Sequence, residues 1–201
     1  LSANYNGDAN FNGSNSAPVS QQVNPAATST AISATPNPST FGQSITITAT
    51  VTTAAPGSGT PSGSVTFLDG STSLGSQPVS ASGQASLIIS SLIAGNHSLT
   101  AGYAGNDNFL SSTSPAITQT VNTAATTTTL VSSRNPSVYG HPVTFNATVS
   151  TSTTGATPTG GTVTFLEGQK ILGTDELFNG VTQFRITTLG TGQHTITASY
   201  A

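Results

Sequence analysis

The segment Ser44-Ile-Thr-Ile-Thr-Ala-Thr-Val51 decides the fold class, because its apolar and polar residues alternate with a period of two. Such alternation is typical of a β-strand with one face in the core and the other in solvent. The pattern returns later in the chain at Val143, Phe145, Ala147 and Val149. Helical periodicity is missing, and Gly- and Pro-rich stretches separate the strand-like segments. The sequence therefore predicts an all-β protein.

A long internal repeat organises the chain. Leu99-Thr-Ala-Gly-Tyr103 matches Leu1-Ser-Ala-Asn-Tyr5 at a distance of 98 residues. One residue is lost after about position 76, so that Gly192-Gln-His194 matches Gly95-Asn-His97 at a distance of 97. A period of this length is too long for a solenoid unit and fits one small domain.

Each period contains about seven strand-like segments with frequent turns, which is the pattern of a two-sheet antiparallel sandwich. Residues 25–123 are predicted to form a complete first repeat, and residues 124–201 a second repeat that lacks its last strand. Residues 1–24, here named the head segment, are predicted to supply the end of strand F and strand G of a preceding repeat. Short Pro-, Ala- and Thr-rich linkers predict a semi-rigid rod of beads on a string.

The composition excludes several classes of function. The chain has 3 Lys+Arg and 6 Asp+Glu, or 4% charged residues, against about 25% in an ordinary domain. Three scattered cations cannot form the basic surface of a nucleic-acid binder. The chain has no Cys, which excludes disulfides and Cys-based metal or redox sites. No apolar run in this window reaches the length of a membrane span. We therefore expect no nucleic acid, no membrane span in this window and no cofactor.

Four motifs occur in a fixed order within the repeat. They are Asn-Pro-Ser-x-aromatic-Gly, Val-Thr-Phe-Leu-Asp/Glu-Gly, Gly-x-His-x-Leu/Ile-Thr-Ala-x-Tyr and the element Gly7-Asp-Ala-Asn-Phe11. The series resembles the bacterial Ig-like tandem repeat of large secreted or surface proteins. The resemblance implies Ig-like sandwiches in a secreted bacterial protein, extracellular or at the cell surface. In that family such domains act mostly as spacers, stalks and adhesive modules, and the resemblance supplies no ligand.

Two histidines occupy a characteristic corner of the predicted sandwich. Ig folds often carry a Tyr near the start of strand F, whose hydroxyl ties the corner to the backbone upstream. His97 and His194 stand there, two residues after Gly95 and Gly192. We interpret them as structural corner residues whose ring N–H replaces the Tyr hydroxyl. A metal or catalytic role would need a second His or a paired carboxylate that repeats beside them.

The head segment contains the opening of a calcium-binding loop. Asp8, Asn10 and Asn12 match the first ligands of an EF-hand, but Val19 replaces the closing Glu. The sibling stretch Asn106-Asp-Asn-Phe-Leu-Ser111 breaks the ligand spacing. An F–G hairpin turn rich in Asn, Asp and Gly explains the motif better. These three residues are therefore only a weak candidate for Ca²⁺.

No catalytic residues are predicted. A catalytic Ser needs a base and an orienting acid, and His141 is replaced by Gln43 in the first repeat. The chain also lacks a Gly-x-Ser-x-Gly elbow. We expect that the chain is not an enzyme. The chain has Asn-x-Ser/Thr sequons and many hydroxyl side chains, so surface glycans remain an open alternative among its partners.

The two predicted incomplete repeats are complementary, because the head segment carries a strand G and the second repeat lacks one. One explanation is that the window is a slice of a longer array. The other is that subunits self-associate head to tail, with Val19, Gln21 and Val23 donated as an added strand. Such a contact does not close and propagates a fibre.

The repeat, the linkers and the complementary ends predict a structural protein that builds an extracellular filament or a cell-surface stalk. One alternative is an adhesin module that binds carbohydrate or a host surface, for which a cluster of exposed aromatic residues is expected. Another is a passive spacer in an exported enzyme.

Overall fold

The computed structural model describes residues 1–153 and 155–201, and within them the regular secondary structure is entirely β. The head segment contains β1 (Asn4–Tyr5) and β2 (Ser14–Asn15). The first repeat contains β3 (Thr28–Thr35), β4 (Ser39–Thr40), β5 (Ile45–Thr53), β6 (Ser64–Asp69), β7 (Thr72–Pro78), β8 (Gln84–Ile89), β9 (Gly95–Tyr103), β10 (Ser112–Thr113) and β11 (Ile117–Asn122). The second repeat contains β12 (Thr126–Ser132), β13 (Val143–Thr151), β14 (Thr162–Glu167), β15 (Lys170–Glu176), β16 (Val181–Ile186) and β17 (Ile196–Tyr200). No helix in the described residues is long and apolar enough to cross a membrane.

The strands of the first repeat form two sheets. The smaller sheet has the order β3-β5-β8. The larger has the order β4-β11-β9-β6-β7, and β10 also pairs with β9. The short β4 runs parallel to β11, with Ser39 opposite Val121, whereas β11 and β9 are antiparallel.

The second repeat forms two matching sheets, β12-β13-β16 and β15-β14-β17. They correspond to β3-β5-β8 and β7-β6-β9 of the first repeat. The register between the hairpin strands shifts at Phe165/Leu166 in the second repeat and at Phe67/Leu68 in the first. The shared position of this irregularity shows that the sequence repeat is also a structural repeat.

Period-two alternation puts the predicted apolar residues into the core. In β5, Ile45, Ile47, Ala49 and Val51 are at most 2% exposed, while the residues between them face outward. In the second repeat, Val143, Phe145, Ala147 and Val149 of β13 pack with Val163 and Phe165 of β14. The prediction of an all-β sandwich is confirmed.

A close contact between a glycine and an aromatic ring pins one sheet of the second repeat to the other. The Phe165 and Phe184 rings stack with centroids 5.1 Å apart. A Cβ atom on Gly173 would overlap the Phe184 ring, so any other residue there would have to displace the ring. The Phe184 ring therefore packs directly against the backbone of Gly173.

Contact density divides the chain into two compact units. The first unit comprises Leu1–Ile32, Ala49–Ala85 and Thr100–Pro115. The second comprises Ser33–Thr48, Ser86–Leu99 and Ala116–Ala201, and thus includes the whole second repeat. Four of the five borders between these units fall inside strands and none matches a predicted repeat boundary, so the boundaries at residues 24 and 123 stay a prediction.

One predicted strand does not form. The repeat pattern predicts a strand through Val19 and Val23, but residues 16–25 contain no regular strand. Val19 exchanges backbone hydrogen bonds with Leu1, at 2.8 and 2.9 Å, as an extension of the β1–β2 hairpin. The alternating pattern allows a segment to pair as a strand. A strand forms only where a neighbouring strand offers its backbone for hydrogen bonding, and the pattern alone does not provide that neighbour.

Candidate functional site

An open groove lies beside the edge strand β17. Among the described residues, no strand pairs with the outer edge of β17. A groove of about 770 Å³ lies at this end of the second repeat. Core residues form part of its wall, including Phe145, Leu189 and Ile196. The Asn135-Pro-Ser137 loop also lines the groove.

The same place in the first repeat is filled by β11. Gln119 of this strand is fully buried, and its Nε2 donates to the Pro36 carbonyl at 3.0 Å and to Ser39 Oγ at 3.2 Å. It also donates to the carbonyl of Thr120 at 3.1 Å. The buried Oε1 has no hydrogen-bond partner in the described structure. One glutamine therefore fixes β11 to the loop that precedes β5.

A second amide holds the backbone of β11. The Asn37 Nδ2 donates to the Thr118 carbonyl at 2.7 Å, and its Oδ1 accepts from the Thr120 amide at 3.0 Å. This side chain makes the two bonds that a neighbouring strand would otherwise make. Asn37 thus holds Thr118 and Thr120 of β11, and Gln119, which lies between them, bonds back to the same loop.

Burial differs between the filled and the open edge. Leu99 and Ala101 of β9 are 0% exposed. Their counterparts Ile196 and Ala198 of β17 are only half-buried. Likewise Ser39 is 2% exposed, whereas Ser137 is exposed to solvent. The open groove therefore leaves apolar and polar groups in solvent that the first repeat buries.

The predicted strand-donor residues lie in an exposed part of the head segment. Val19 and Val23 are 63% and 86% exposed. Gln21 is also exposed, and its Nε2 donates only to the neighbouring Gln22 carbonyl at 3.0 Å. Within the described residues, the backbone bonds between Val19 and Leu1 are the contact that ties these three residues to a more distant part of the chain.

Both corner histidines contact the backbone four residues upstream. His97 Nε2 lies 2.9 Å from the Ile93 carbonyl oxygen, and His194 Nε2 lies 3.1 Å from that of Gly190. A carbonyl only accepts, so Nε2 carries the proton in each case. This geometry is the one expected of a structural corner residue, although the role itself stays a prediction.

His194 also contacts a carboxylate. Its Nδ1 lies 2.5 Å from Glu167 Oε1. The hydrogen bond with Glu167 raises the pKa of His194 above its ordinary value of 6.5, and the bond to Gly190 adds to this effect. Both ring nitrogens are therefore occupied as donors in the protonated form. The carboxylate beside His194 was missed from the sequence, because it lies 27 residues away along the chain.

The calcium candidate forms a turn that its own side chain caps. Asp8 Oδ1 accepts from the amides of Asn10 and Phe11 at 2.8 and 2.9 Å. The bond from the Asn10 amide is the main reason that the pKa of Asp8 is lowered. In the sibling turn, Asn106 Oδ1 accepts from the amides of Asn108 and Phe109 at 2.9 and 3.0 Å.

A neutral amide therefore does in one turn what the carboxylate does in the other, which supports the interpretation as a hairpin turn. No group of three or more His, Asp or Glu side chains in the described ranges is arranged to hold a metal ion. Asp8, Asn10 and Asn12 stay the weak Ca²⁺ candidate of the sequence analysis.

Sequence reasoning missed the loop residues that grip the strand. The signal was present, because Asn-Pro-Ser occurs at 37–39 and again at 135–137. Repetition marks the motif as part of the repeat, but it does not show that the side chains bind a strand.

The profile of the family "Bacterial Ig-like domain (group 3)" matches residues 32–122 and 130–201. The chain belongs to this family. The predicted resemblance and the Ig-like sandwich fold are thereby confirmed. No sequence match to a curated protein is found.

Several solved structures resemble this bacterial Ig-like chain. The fibronectin(III)-like modules of Clostridium thermocellum CbhA share 22% identity at a TM-score of 0.35, covering 84% of this chain and 85% of that one. The Yersinia pseudotuberculosis adhesin InvE shares 16% at 0.44, covering 85% and 55%. Three N-terminal domains of the bacteriophage RB49 Hoc capsid protein share 11% at 0.35, covering 87% and 70%. Likenesses at this level carry no functional argument.

Proposed function

We propose that the chain is a non-catalytic structural segment of an extracellular bacterial filament or cell-surface stalk. The observation that carries the proposal is the link between its two Ig-like repeats. β11 ends at Asn122 and β12 begins at Thr126, so only the three residues between them join one repeat to the next. So short a link allows little rotation of one sandwich against its neighbour, which favours an extended array.

Packing around this link supports the proposal. The Phe41 amide donates to the Asn122 carbonyl at 2.8 Å, which fixes the end of β11. A Cβ atom on Gly42 would lie 2.7 Å from the Cβ of Ala156 in the second repeat. Both contacts lie inside the second compact unit. The link is therefore held by van der Waals contact and not only by its own short length.

The surface chemistry fits an exposed structural polymer. A surface rich in Ser and Thr is hydrated through hydroxyls, so neighbouring copies meet little charge repulsion and little sensitivity to salt. With no Cys and no Met, the chain has no sulfur to be oxidised outside the cell. These properties support an extracellular location.

The histidine–carboxylate pair supports a non-catalytic role. Both nitrogens of His194 are engaged, one by Glu167 and the other by the Gly190 carbonyl. A general base needs a ring nitrogen with an available lone pair. The pair is therefore a structural contact in this proposal.

Immunogold electron microscopy of the intact source bacterium tests the proposed function. Antibodies raised against residues 1–201 are expected to decorate elongated structures outside the cell. Label confined to the cell interior, or compact and isolated monomers, would contradict the proposal. A catalytic domain in the same open reading frame would decide for a spacer. Saturable glycan binding that is lost on loop substitution would decide for an adhesin.

A further inference from the structure

We propose that the side-chain hydrogen bonds between residues 36–39 and β11 form the contact that keeps the first repeat folded when its two ends are pulled apart. We name this contact the strand clasp and define it by Asn37, Ser39 and Gln119 with the backbone groups that they bind. The inference rests on the proposed function, because a filament or stalk outside the cell transmits tension from one repeat to the next.

The relative direction of β4 and β11 determines how tension acts on the bonds between them. The two strands are parallel, with Ser39 opposite Val121 and Thr40 opposite Asn122. The chain therefore enters β4 at one end of this pair and leaves β11 at the other end. Tension along the chain pulls the two strands past each other, so all the bonds between them are loaded at the same time. Bonds that share a load in this way resist more force than bonds that break one after another.

The Asn37 side chain lengthens a contact that the backbone alone would leave short. β4 contains only two residues. Asn37 adds two bonds before this strand begins, because its Nδ2 donates to the Thr118 carbonyl at 2.7 Å and its Oδ1 accepts from the Thr120 amide at 3.0 Å. Both bonds join the segment that leads into β4 to the backbone of β11, so they carry the same load as the parallel pair.

Gln119 makes the clasp reciprocal, because it reaches from β11 back to the loop. Its Nε2 donates to the Pro36 carbonyl at 3.0 Å and to Ser39 Oγ at 3.2 Å. Gln119 is 0% exposed and Ser39 is 2% exposed. Water cannot replace a buried bond before the strands separate, so breaking it leaves its donor and acceptor without partners. The buried half of the clasp therefore raises the barrier to separation.

The other strand on the path of the tension is less firmly embedded. β3 precedes β4 and pairs with β5. Of the eight residues described in β3, Thr30 alone is buried, whereas β11 buries both Gln119 and Val121. Drawing β3 away from β5 exposes little of the core, while the loss of β11 uncovers Leu99. We therefore expect β3 to separate first and the rupture of the clasp to be the main barrier.

Magnetic tweezers at constant force test the clasp in the full chain. The chain has no Cys, so Asn24→Cys and Thr123→Cys supply two unique thiols for DNA handles on either side of the first repeat. Asn37→Ala is expected to unfold about tenfold faster than the parent at the same force, because two bonds under load are lost. NMR spectra without tension check that the variant is folded. An unchanged rate would overturn the proposal.

A second pair of handles changes the direction of pulling and needs no substitution in the clasp. Gly95 lies opposite Val121 at the end of the antiparallel β9–β11 ladder. Handles on Ala94→Cys and Thr123→Cys therefore pull these two strands apart from a common end, and their bonds break one after another. The repeat with an intact clasp is expected to open about tenfold faster or more in this direction, because few bonds share the load at any moment. Equal rates in the two directions would contradict the proposal.

A core substitution separates resistance to tension from ordinary stability. Val65 of β6 is 0% exposed, and β6 pairs with β9 and β7 and not with the clasp strands. Val65→Ala should lower the equilibrium stability of the first repeat at least as much as Asn37→Ala does. It should accelerate unfolding under tension less, because the core stays packed until the clasp breaks. If Val65→Ala accelerates unfolding under tension as much as Asn37→Ala, resistance belongs to the whole sandwich and the assignment to the clasp is wrong.

Failure of this inference and failure of the proposed function are distinguishable. If microscopy shows extracellular filaments but Asn37→Ala unfolds under tension at the rate of the parent, only the clasp assignment is wrong. If the clasp responds to tension as expected but the protein forms no elongated structure outside the cell, the proposed function is wrong and the force-resistant contact remains a property of the repeat.

Discussion

The outer edges of β9 and β17 carry the same sequence pattern in two different environments. β9 is covered by β11, and its Leu99 is completely buried. β17 has no partner on this edge among the described residues, and its Ile196 is half-buried. The sequence sets which side chains point inward, but the neighbouring strand decides how far they are removed from water.

The comparison extends to the loop that faces each edge. In the first repeat, Ser39 belongs to a short strand and is buried under β11. In the second repeat, Val138 and Tyr139 of the corresponding loop are 70% and 71% exposed. The loop therefore becomes part of the sandwich only where a strand is present for it to hold.

Core truncation is expected to give the largest difference between the two edges. Leu99→Ala should destabilise the first repeat by about 2–5 kcal/mol, because Leu99 is fully buried. Ile196→Ala should destabilise the second repeat by about half as much, because part of this side chain is already in water. Hydrogen exchange in increasing urea, read by mass spectrometry, resolves the two repeats. An equal loss of stability in the two variants would contradict the proposed difference between the two edges.

Removing the buried glutamine is expected to give the next largest effect. Gln119→Ala should cost the first repeat about 1–3 kcal/mol, because the Pro36 carbonyl and Ser39 hydroxyl lose their donor inside the sandwich. Gln21→Ala is the matched control in the exposed head segment, and should leave the first repeat unchanged. The same urea series measures both variants. A stable Gln119→Ala repeat would show that the backbone ladder alone holds β11.

The strands and core residues could be predicted because alternation is local. In β5 each apolar residue is buried, as the period of two requires. The grip of Asn37 on β11 could not be predicted in this way, because its partner atoms lie 81 and 83 residues along the chain. Val19 and Val23 show the converse, since their pattern predicts a strand, but in the described structure only Val19 pairs, through two backbone bonds with Leu1, and no regular strand forms.

His194 likewise has one feature that the sequence predicts and one that it does not. The position of His194 and its N–H role could be inferred from the repeat and from the known corner of Ig folds. Its ion pair with Glu167 depends on how the β14–β15 turn meets the start of β17. The contact between Glu167 and His194 is a tertiary contact. A single sequence does not show which residues of the two segments lie next to each other.

The His194–Glu167 pair predicts a smaller, pH-dependent effect on the open-edged repeat. The folded pKa of His194 is raised above the ordinary 6.5 that holds in the unfolded chain. Its stabilising contribution is therefore complete below about pH 6.5 and is lost as pH rises through the folded pKa. NMR titration of the His194 ring, with hydrogen exchange of β17 over the same range, measures the effect. Glu167→Gln is the control and should lower the His194 pKa and flatten the profile. Stability that rises over this range would contradict the assignment.

The smallest effect is expected at the two matching turns, at residues 8–11 of the head segment and 106–109 of the first repeat. Asp8→Asn should leave the head-segment turn unchanged, because Asn106 makes the same two backbone bonds in the first repeat. Asp8→Ala should speed amide exchange at Asn10 and Phe11 several-fold, because their common acceptor is lost. Amide exchange by NMR, with and without millimolar CaCl₂, separates the two interpretations of this turn. Protection that needs the carboxylate and rises with calcium would favour a cation site. Protection retained by Asp8→Asn and insensitive to calcium would favour a turn held by its own side chain, as in the first repeat.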